Sequence, residues 1–402
     1  MTPLEGVRVA DFTWVWAGPF CTLQLAHLGA EVIRVESSVR PCVTRMLPPW
    51  PEGQPGLNRS GYFNQYNQGK YSLALDLKLP EAVAVAKDLV RHCDIVCENF
   101  AAGVMDRLGL GYEELRAVRP DIIMISMSGY GATGPESGYV SYGPAQVPLS
   151  GLSSLTGYRG YPPMHVGVSY GDPTAGLHAA FAALAALWHR EQTGEGQFID
   201  LSQWETTIAV IPEGIIEYAW HGMQPERNGN RDPLMVPHGI FRCAGEQRWV
   251  AIAARDDAEW KQLARAIGRD DLANDESLAS LTGRLRAVDE IELAIEQWTT
   301  QHSPQEVTAI LQSAGVAAFP CYDSRDLAED QHLRAEGFFV ELDHPEVGRK
   351  LHLGIPWKLS ATPCSIRRPA PLLGEHTDYV LGTILGYDRK RIDELRDSGV
   401  LR

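Results

Sequence analysis

The stretch VRVADFTWVWAGPFCTLQLAHLGAEVIRVE, residues 7–36, determines the fold class. The apolar runs at its two ends predict buried strands, and the segment FCTLQLAHLG between them predicts a helix that ends at Gly29. A strand, a helix and a second strand in so short a span form the unit from which parallel sheets are built.

The same alternation continues along the N-terminal part of the chain. Residues 80–92 predict an amphipathic helix with Pro80 near its first turn, and DIVCENF and DIIMISMSGYG predict two further strands. We therefore predict an α/β fold whose large, Rossmann-like domain has a parallel sheet with helices on its faces. Such folds bind ligands where the strands end in loops.

The second half of the chain predicts a smaller α/β domain. A crossing segment rich in Pro, Asn and charge, residues 223–238, precedes two candidate strands, GIFRC and RWVAIAA. We expect the large domain to comprise residues 1–222 and 326–402, and the small domain with its linker to comprise residues 223–325.

Composition excludes several classes of function. The chain has 402 residues, 44% of them hydrophobic, and a net charge of −15, which favours a globular protein that binds neither nucleic acid nor anionic membranes. No apolar run is long enough to span a bilayer and the start lacks a signal-peptide pattern, so we expect a cytoplasmic protein. The seven cysteines, of which only Cys93 and Cys97 are close, predict neither disulfides nor a metal site.

Asp172 lies at the start of a long apolar helix, in YGDPTAGLHAAFAALAALWHREQTGEGQ, residues 170–197. One interpretation is a helix N-cap, with Pro173 at the first helical position. The other, compatible with the first, is a carboxylate kept ionised by the helix N-terminus that attacks a thioester to give a mixed anhydride. We expect the neighbouring glycines, Gly171 and Gly176, to leave room for a ligand, and the apolar helix to be buried on all sides.

Basic residues in the predicted α/β loops form the second candidate set. Any one of them is most simply a solvated surface group. Together they resemble a phosphate-binding set: Arg34, Arg40, Lys70 and Arg107. The segment SGYGATGP predicts a turn, and no dinucleotide, ATP or paired metal-ligand motif is present, which leaves metal-free acyl chemistry open.

Ordered blocks over nearly the whole chain resemble one enzyme family. They are DFTWVWAGPF, LGAEVIRVE, YFNQYNQGKYSLALDLKLPE, VCENFAAGVMDRLGLGYEEL, SGYGATGP, GDPTAG, REQTGEGQFIDLS, GVAAFPCYDSRDLAEDQHLRAEGFF and APLLGEHTDYVL. This order resembles the class III CoA-transferases of the CaiB/BaiF type, a group that includes formyl-CoA transferase, carnitine CoA-transferase and the related α-methylacyl-CoA racemases.

The resemblance implies a fold and a reaction. Such enzymes are interlocked homodimers, each subunit a ring threaded by its partner, with a large domain built from both ends of the chain. Their substrates are an acyl-CoA and a free carboxylic acid, with no tightly bound cofactor. An aspartate matching Asp172 takes the acyl group as a mixed anhydride, CoA thiolate converts this to an aspartyl-CoA thioester, and the acceptor carboxylate leaves as its CoA ester.

The resemblance also assigns roles to individual residues. Lys70 and Arg107 match residues near the CoA phosphates. The residues that match neighbours of the adenine or pantetheine are Asn99, Phe100 and Met105. Tyr142 matches a tyrosine close to the catalytic aspartate, and Ala17 lies on a loop whose backbone N–H groups could stabilise an oxyanion.

Three residues depart from the pattern of formyl-CoA transferase. Trp14 and Trp16 stand where that enzyme has His and Gln, and Gly143 stands where it has a glutamate. Two tryptophans are either core residues or the lining of a pocket for a larger, partly apolar or aromatic acyl group.

Two alternatives to a transferase remain open at this point. The first is an epimerase of the α-methylacyl-CoA racemase type, but its catalytic histidine is replaced by Tyr142, and an unperturbed phenol is a poor base at neutral pH. The second is a non-catalytic CoA-binding subunit of a heteromeric transferase, against which the retention of Asp172 with its glycines argues.

Overall fold

The computed structural model describes residues 1–402, and the chain divides into two compact units. The first comprises Met1–Ser153, His165–Gln224 and Leu333–Arg402, and the second comprises Ser154–Met164 and Pro225–His332. Both ends of the chain thus belong to the first unit. The boundaries expected from the sequence remain a prediction about domains, and this division differs from them chiefly by assigning residues 154–164 to the second unit.

Eleven strands form three sheets. They are β1 (Arg8–Asp11), β2 (Glu31–Glu36), β3 (Tyr71–Ala74), β4 (Ile95–Glu98), β5 (Ile123–Ser128), β6 (Phe198–Ser202), β7 (His238–Arg242), β8 (Trp249–Ala253), β9 (Ala317–Pro320), β10 (Phe339–His344) and β11 (Gly348–Leu353). The first six make a parallel sheet in the order β3-β2-β1-β4-β5-β6. This order is that of the Rossmann fold, whose ligand crevice lies between the carboxyl ends of β1 and β4.

The chain also has nineteen α-helices, many of them one or two turns long. They are α1 (Ala17–His27), α2 (Gly61–Tyr66), α3 (Pro80–Arg91), α4 (Val104–Arg107), α5 (Tyr112–Val118), α6 (Gly143–Leu149), α7 (Leu152–Leu155), α8 (Gly171–Thr193), α9 (Gln203–Ile208), α10 (Pro212–His221), α11 (Asp257–Ala266), α12 (Asp270–Ala273), α13 (Leu281–Arg286), α14 (Val288–Thr299), α15 (Pro304–Ser313), α16 (Ser324–Glu329), α17 (Gln331–Ala335), α18 (Thr377–Tyr379) and α19 (Arg389–Asp397). No helix combines the length and the apolar character needed to cross a membrane.

Helices cover both faces of the parallel sheet. Alternate strand residues such as Val9 and Ile95 pack against α1 and α8 on one face. Their neighbours Ala10 and Val96 pack against α3, α5 and α19 on the other. Strands buried on two sides are typical of parallel sheets, and the predicted α/β class is confirmed.

The second unit has its own core. Strands β7, β8 and β9 form an antiparallel sheet whose inner face packs against helices that include α11, α14 and α15, around the buried Trp260. The strands predicted from GIFRC and RWVAIAA correspond to β7 and β8.

The sequence pattern does not predict two strands of the parallel sheet, β3 and β6. β3 is only four residues long, and β6 lies in a region that the sequence indicated only as a further apolar element. Both are edge strands, so each pairs with a single neighbour, and β6 is half exposed. An edge strand carries a weaker hydrophobic pattern than a central one, which explains the omission.

The helix that carries Asp172 differs from the prediction in two respects. α8 begins at Gly171 with Tyr170 as its N-cap and with no side-chain cap, so Asp172 lies inside the first turn and the N-cap interpretation is wrong. The helix is also not buried on all sides. Large side chains are exposed along one face: Leu177, Phe181, Leu184 and Trp188.

Gly176 allows α8 to approach α1 closely. A Cβ atom at this position would lie 2.7 Å from the carbonyl oxygen of Ala17 and 3.2 Å from the backbone nitrogen of Cys21. Both are backbone atoms of α1, which cannot move without moving the helix. Gly176 therefore serves helix packing, and the expectation that it makes room for a ligand is wrong.

We predict that Gly176→Val destabilises the first unit, because the added side chain meets the backbone of α1. Overpacking of this kind costs about 1–3 kcal/mol. Urea denaturation followed by tryptophan fluorescence should show an earlier transition. The control is Ala84→Val, which adds a branched side chain at an exposed position of α3 and should cost about 0.5 kcal/mol. Equal shifts in the two variants would contradict the packing role.

Candidate active site

Asp172 lies in the first turn of α8, and its residue is 7% exposed. The first residue of α6, Gly143, borders its carboxylate. A Cβ atom at position 143 would lie 1.6 Å from Oδ2 of Asp172, so this carboxylate position and any side chain at 143 exclude each other. Gly171, in turn, packs against Gln146 and Thr207, and a Cβ there would lie 3.0 Å from each of them.

Burial raises the pKa of the Asp172 carboxyl to about 7, and the backbone N–H of Ala17 partly offsets this rise. Ala17 is the first residue of α1, whose opening N–H groups have no partner within the helix and favour negative charge. The expectation that the start of α8 keeps Asp172 fully ionised is wrong, because desolvation by burial outweighs the N–H group that faces the carboxyl.

Four aromatic side chains pack on one another where α2 meets the start of α1, and two of them, Tyr62 and Tyr66, sense the charge of Asp172. Trp16 lies 6.0 Å from Tyr62 and 5.4 Å from Tyr66 between ring centroids, and Phe20 lies 5.8 Å from Tyr66. Burial first, and the charge of Asp172 in addition, raise the pKa of both tyrosine hydroxyls. We call Trp16, Phe20, Tyr62 and Tyr66 the aromatic wall.

The two tyrosines of the aromatic wall were missed from the sequence. The sequence feature that could have indicated them is the spacing of four residues between Tyr62 and Tyr66 in GYFNQY, which places both side chains on one face of α2. That spacing is equally compatible with a core-facing helix, and only the packing of α2 near α1 directs the face toward Asp172.

Arg34 and Lys70 do not present cationic groups to a ligand. Both are fully buried and belong to a chain of ion pairs that we call the buried charge network: Lys70, Asp11, Arg34, Glu36 and Arg45. Nζ of Lys70 lies 3.1 Å from Oδ2 of Asp11 and also donates to Thr22, Asn67 and the carbonyl of Pro19. The structure therefore does not support the phosphate contact expected for either residue. Both side chains are fully buried, and the N–H groups of Lys70 already have acceptors within the chain.

The members of the Lys70–Asp11 pair are both charged at neutral pH. Burial lowers the pKa of Lys70 to about 8, which is still above neutrality. Burial also acts to raise the pKa of Asp11, but the charges of Lys70 and Arg34 and the hydrogen bonds from Thr13 together outweigh it, and the net pKa is lowered. A fully ionised buried pair of this kind holds its two chain segments together, because separating it would leave an unpaired charge in the core.

Arg40 and Arg107 remain accessible. Both are exposed, and neither side chain makes an ion pair within the chain. The guanidinium of Arg40 lies 5.1 Å from the ring centre of Trp14, which in turn lies 6.2 Å from the ring of Phe100. A cation, an indole and a phenyl ring thus adjoin one another at the carboxyl ends of β1 and β4.

Asn99 and Met105 have other partners. The side-chain amide of Asn99 makes two hydrogen bonds to the backbone of Trp14. Met105 is 3% exposed and packs in the core between the sheet and α3, so the contact with adenine or pantetheine expected for its side chain is not available in this structure.

Tyr142 is 65% exposed and directly precedes Gly143. Its hydroxyl makes no hydrogen bond within the chain, so no group activates it as a base. Two surface cavities, of about 420 and 230 Å³, are lined by none of the candidate residues. No cluster of His, Cys, Asp or Glu side chains is arranged to hold a metal ion.

Comparisons with known proteins identify the family of the chain. The profile of CoA-transferase family III matches residues 4–377. The chain is 34% identical to succinyl-CoA–D-citramalate CoA-transferase of Chloroflexus aurantiacus, over 99% of this chain and 98% of that protein. It is also 34% identical to formyl-CoA:oxalate CoA-transferase of Rhodopseudomonas palustris, over 98% of this chain and 96% of that protein.

A solved structure shows the same fold. The CAIB/BAIF family protein from Brucella suis superposes with a TM-score of 0.86 at 30% identity, over 94% of this chain and 98% of that one. The profile match covers most of the chain, and the relatives align with it nearly from end to end. The protein therefore belongs to CoA-transferase family III.

Proposed function

We propose that this family III CoA-transferase works through a covalent intermediate on Asp172. The ionised carboxylate attacks the thioester carbonyl of the donor, forming an aspartyl mixed anhydride and releasing CoA thiolate. The thiolate attacks the aspartyl carbonyl, giving an aspartyl-CoA thioester and the free donor acid. The acceptor carboxylate then attacks this thioester, which releases CoA thiolate and forms a second mixed anhydride with Asp172. The thiolate attacks the acceptor carbonyl of that anhydride, which gives the acceptor acyl-CoA and regenerates the Asp172 carboxylate.

The placement of Asp172 carries this proposal. Its carboxylate lies beside the backbone N–H of Ala17, at the start of α1, and fills the space that a side chain at position 143 would take. A thioester carbonyl that approached the carboxylate there would bring its oxygen toward the same helix N-terminus. Backbone N–H groups at such a position stabilise the negative charge of a tetrahedral intermediate.

We assign CoA to the carboxyl ends of β1 and β4. The exposed guanidinium groups of Arg40 and Arg107 are free to pair with phosphates. The rings of Trp14 and Phe100 offer apolar surfaces to the adenine or the pantetheine arm. CoA acts here as a substrate, with no tightly bound cofactor.

The aromatic wall supports a bulky or aromatic acyl group as substrate. Tyr62 and Tyr66 are close enough to Asp172 to sense its charge, and the ring of Trp16 packs against both of them. A small, doubly charged acid such as oxalate would lie against these rings without a cationic partner, which is costly in a partly desolvated site. We therefore favour a donor or acceptor acid with an apolar body.

We also propose that the protein works as an interlocked homodimer in the cytoplasm. The exposed apolar face of α8, with Phe181 75% and Trp188 66% exposed, supports a partner surface, because large contiguous apolar patches are rare on monomers. The seven unpaired cysteines are compatible with a reducing compartment.

The first prediction of this proposal is an adduct on Asp172. The protein is incubated with succinyl-CoA or benzoyl-CoA, trapped with hydroxylamine and mapped by peptide mass spectrometry. We expect a hydroxamate at Asp172, formed faster with benzoyl-CoA because of the aromatic wall. Asp172→Asn should lower CoA transfer by about 10⁴-fold or more while CoA still binds, since only the nucleophile is lost.

The matched control is Glu98→Gln, which removes another buried carboxyl group and should leave the label on Asp172. Transfer at the wild-type rate by Asp172→Asn would refute the covalent mechanism. Faster labelling by succinyl-CoA than by benzoyl-CoA would refute the role of the aromatic wall in binding the acyl group, but it would leave the covalent mechanism standing.

The second prediction is a pH dependence. Because burial raises the pKa of Asp172 to about 7, the nucleophile is protonated and inactive below that pH. kcat/KM for the donor should therefore fall about tenfold per pH unit below the inflection and level off above it. Burial also raises the pKa of Glu98 to about 7, so the profile must be repeated with Glu98→Gln. An inflection that vanishes in that variant would contradict its assignment to Asp172.

The third prediction concerns assembly. One chain has a mass of 44.3 kDa, and light scattering should report twice that value. Replacing both Phe181 and Trp188 by Glu places charges on the exposed face of α8 and should abolish the native dimer. His189→Glu, a neighbouring exposed position, serves as the control. A wild-type mass equal to one chain would refute the dimer.

A further inference from the structure

The loop that joins β1 to α1 contains a strained residue. Val15 has a φ of +63°, in the left-handed region that β-branched residues rarely adopt. Such a conformation costs about 1–3 kcal/mol and persists only where surrounding contacts impose it. Two residues later, Ala17 begins α1 with the backbone N–H that faces Asp172.

The side chain of Asn99 makes hydrogen bonds with both backbone groups of Trp14, the residue before the strained Val15. Its Oδ1 accepts a hydrogen bond of 2.7 Å from the N–H of Trp14, and its Nδ2 donates one of 2.8 Å to the carbonyl of Trp14. The carboxamide thus pairs with a whole residue of backbone, as a neighbouring strand would. Asn99 follows β4, so it joins the two strands that flank the ligand crevice.

Further contacts complete the support of this loop. The N–H of Val15 donates to Sγ of the buried Cys42 at 3.2 Å. A Cβ atom on Gly18 would lie 3.0 Å from Cγ of Asn99, so the same carboxamide also rests on the first turn of α1. Asn99 therefore touches the loop on one side of Val15 and the helix start on the other.

We propose that Asn99 is a positioning residue for acyl transfer: by holding Trp14 and Gly18, it imposes the left-handed conformation of Val15 that aims the N–H of Ala17 at Asp172. This inference rests on the proposed role of Asp172 and goes beyond a contact between Asn99 and CoA. Without the carboxamide, Val15 relaxes toward an ordinary conformation, the peptide planes that follow it rotate, and the N–H of Ala17 turns away from the carboxylate.

The loss of this N–H has two measurable effects. The developing oxyanion loses a donor, and the carboxyl of Asp172 loses the group that lowers its pKa. We expect Asn99→Ala to lower kcat by about 10- to 100-fold and to move the inflection of the kcat/KM profile to higher pH. CoA affinity, measured by calorimetry with CoA itself, should change by less than about twofold if no CoA contact is lost.

A rescue experiment separates positioning from binding. Glycine adopts positive φ without strain, so Val15→Gly in the Asn99→Ala background should recover a substantial part of kcat and return the inflection toward its wild-type pH. Asn99→Asp keeps the shape that packs on Gly18 but cannot donate to the carbonyl of Trp14. It should shift kcat and the inflection in the same direction as Asn99→Ala, and it replaces that variant if the alanine protein fails to fold.

The outcomes decide between the explanations. Weaker CoA binding with an unmoved inflection and no rescue by Val15→Gly would show that Asn99 only contacts CoA, and would overturn the inference. Unchanged kinetics in both Asn99 variants would also overturn it. Absence of an adduct on Asp172 in the wild-type protein would instead refute the proposed function, so the two failures are distinguishable.

Discussion

The close approach of α1 to α8 at Gly176 is the constraint on which the site depends. Because no side chain separates the two helices there, the carbonyl of Ala17 lies against the first turns of α8. The free N–H of Ala17 consequently faces Asp172, at the same end of the contact. One backbone contact thus brings the N-terminus of α1, which favours negative charge, and the carboxylate of Asp172 together, and burial there raises the pKa of that carboxyl to about 7.

The buried charge network is the second constraint, and it acts on the loops. Asp11 ends β1, Arg34 and Glu36 lie on β2, and Lys70 directly precedes β3. Arg45, from the segment after β2, donates to both oxygens of Glu36 at 2.9 and 2.6 Å. Such pairs add little net stability compared with apolar packing, but the loss of one member leaves a charge in the core. The network therefore fixes the loop geometry at the carboxyl edge of the sheet, where the aromatic wall and Trp14 are held.

The position of Asp172 was predictable from its place at the start of an apolar helix, and Gly143 was singled out by the family resemblance. The structure places the two in contact range of each other. The basic residues were not predictable, since a cation near a strand end serves equally well as a phosphate ligand or as a buried partner of Asp11. Arg40 and Arg107 are exposed, whereas Lys70 is buried, and nothing in their local sequences distinguishes the two outcomes.

The sequence by itself determined the α/β class, the order of most strands and helices, the family and the position of Asp172, because periodicity and motifs are local properties of the chain. Only the tertiary structure decided which groups share an environment. The aromatic wall joins α2 to the first turn of α1 and the residue before it, and the hydrogen bonds between Asn99 and Trp14 join the segments that follow β4 and β1. Burial, and with it the pKa of Asp172, arises from contacts between segments far apart in the chain, and these contacts exist only after the sheet and helices have packed.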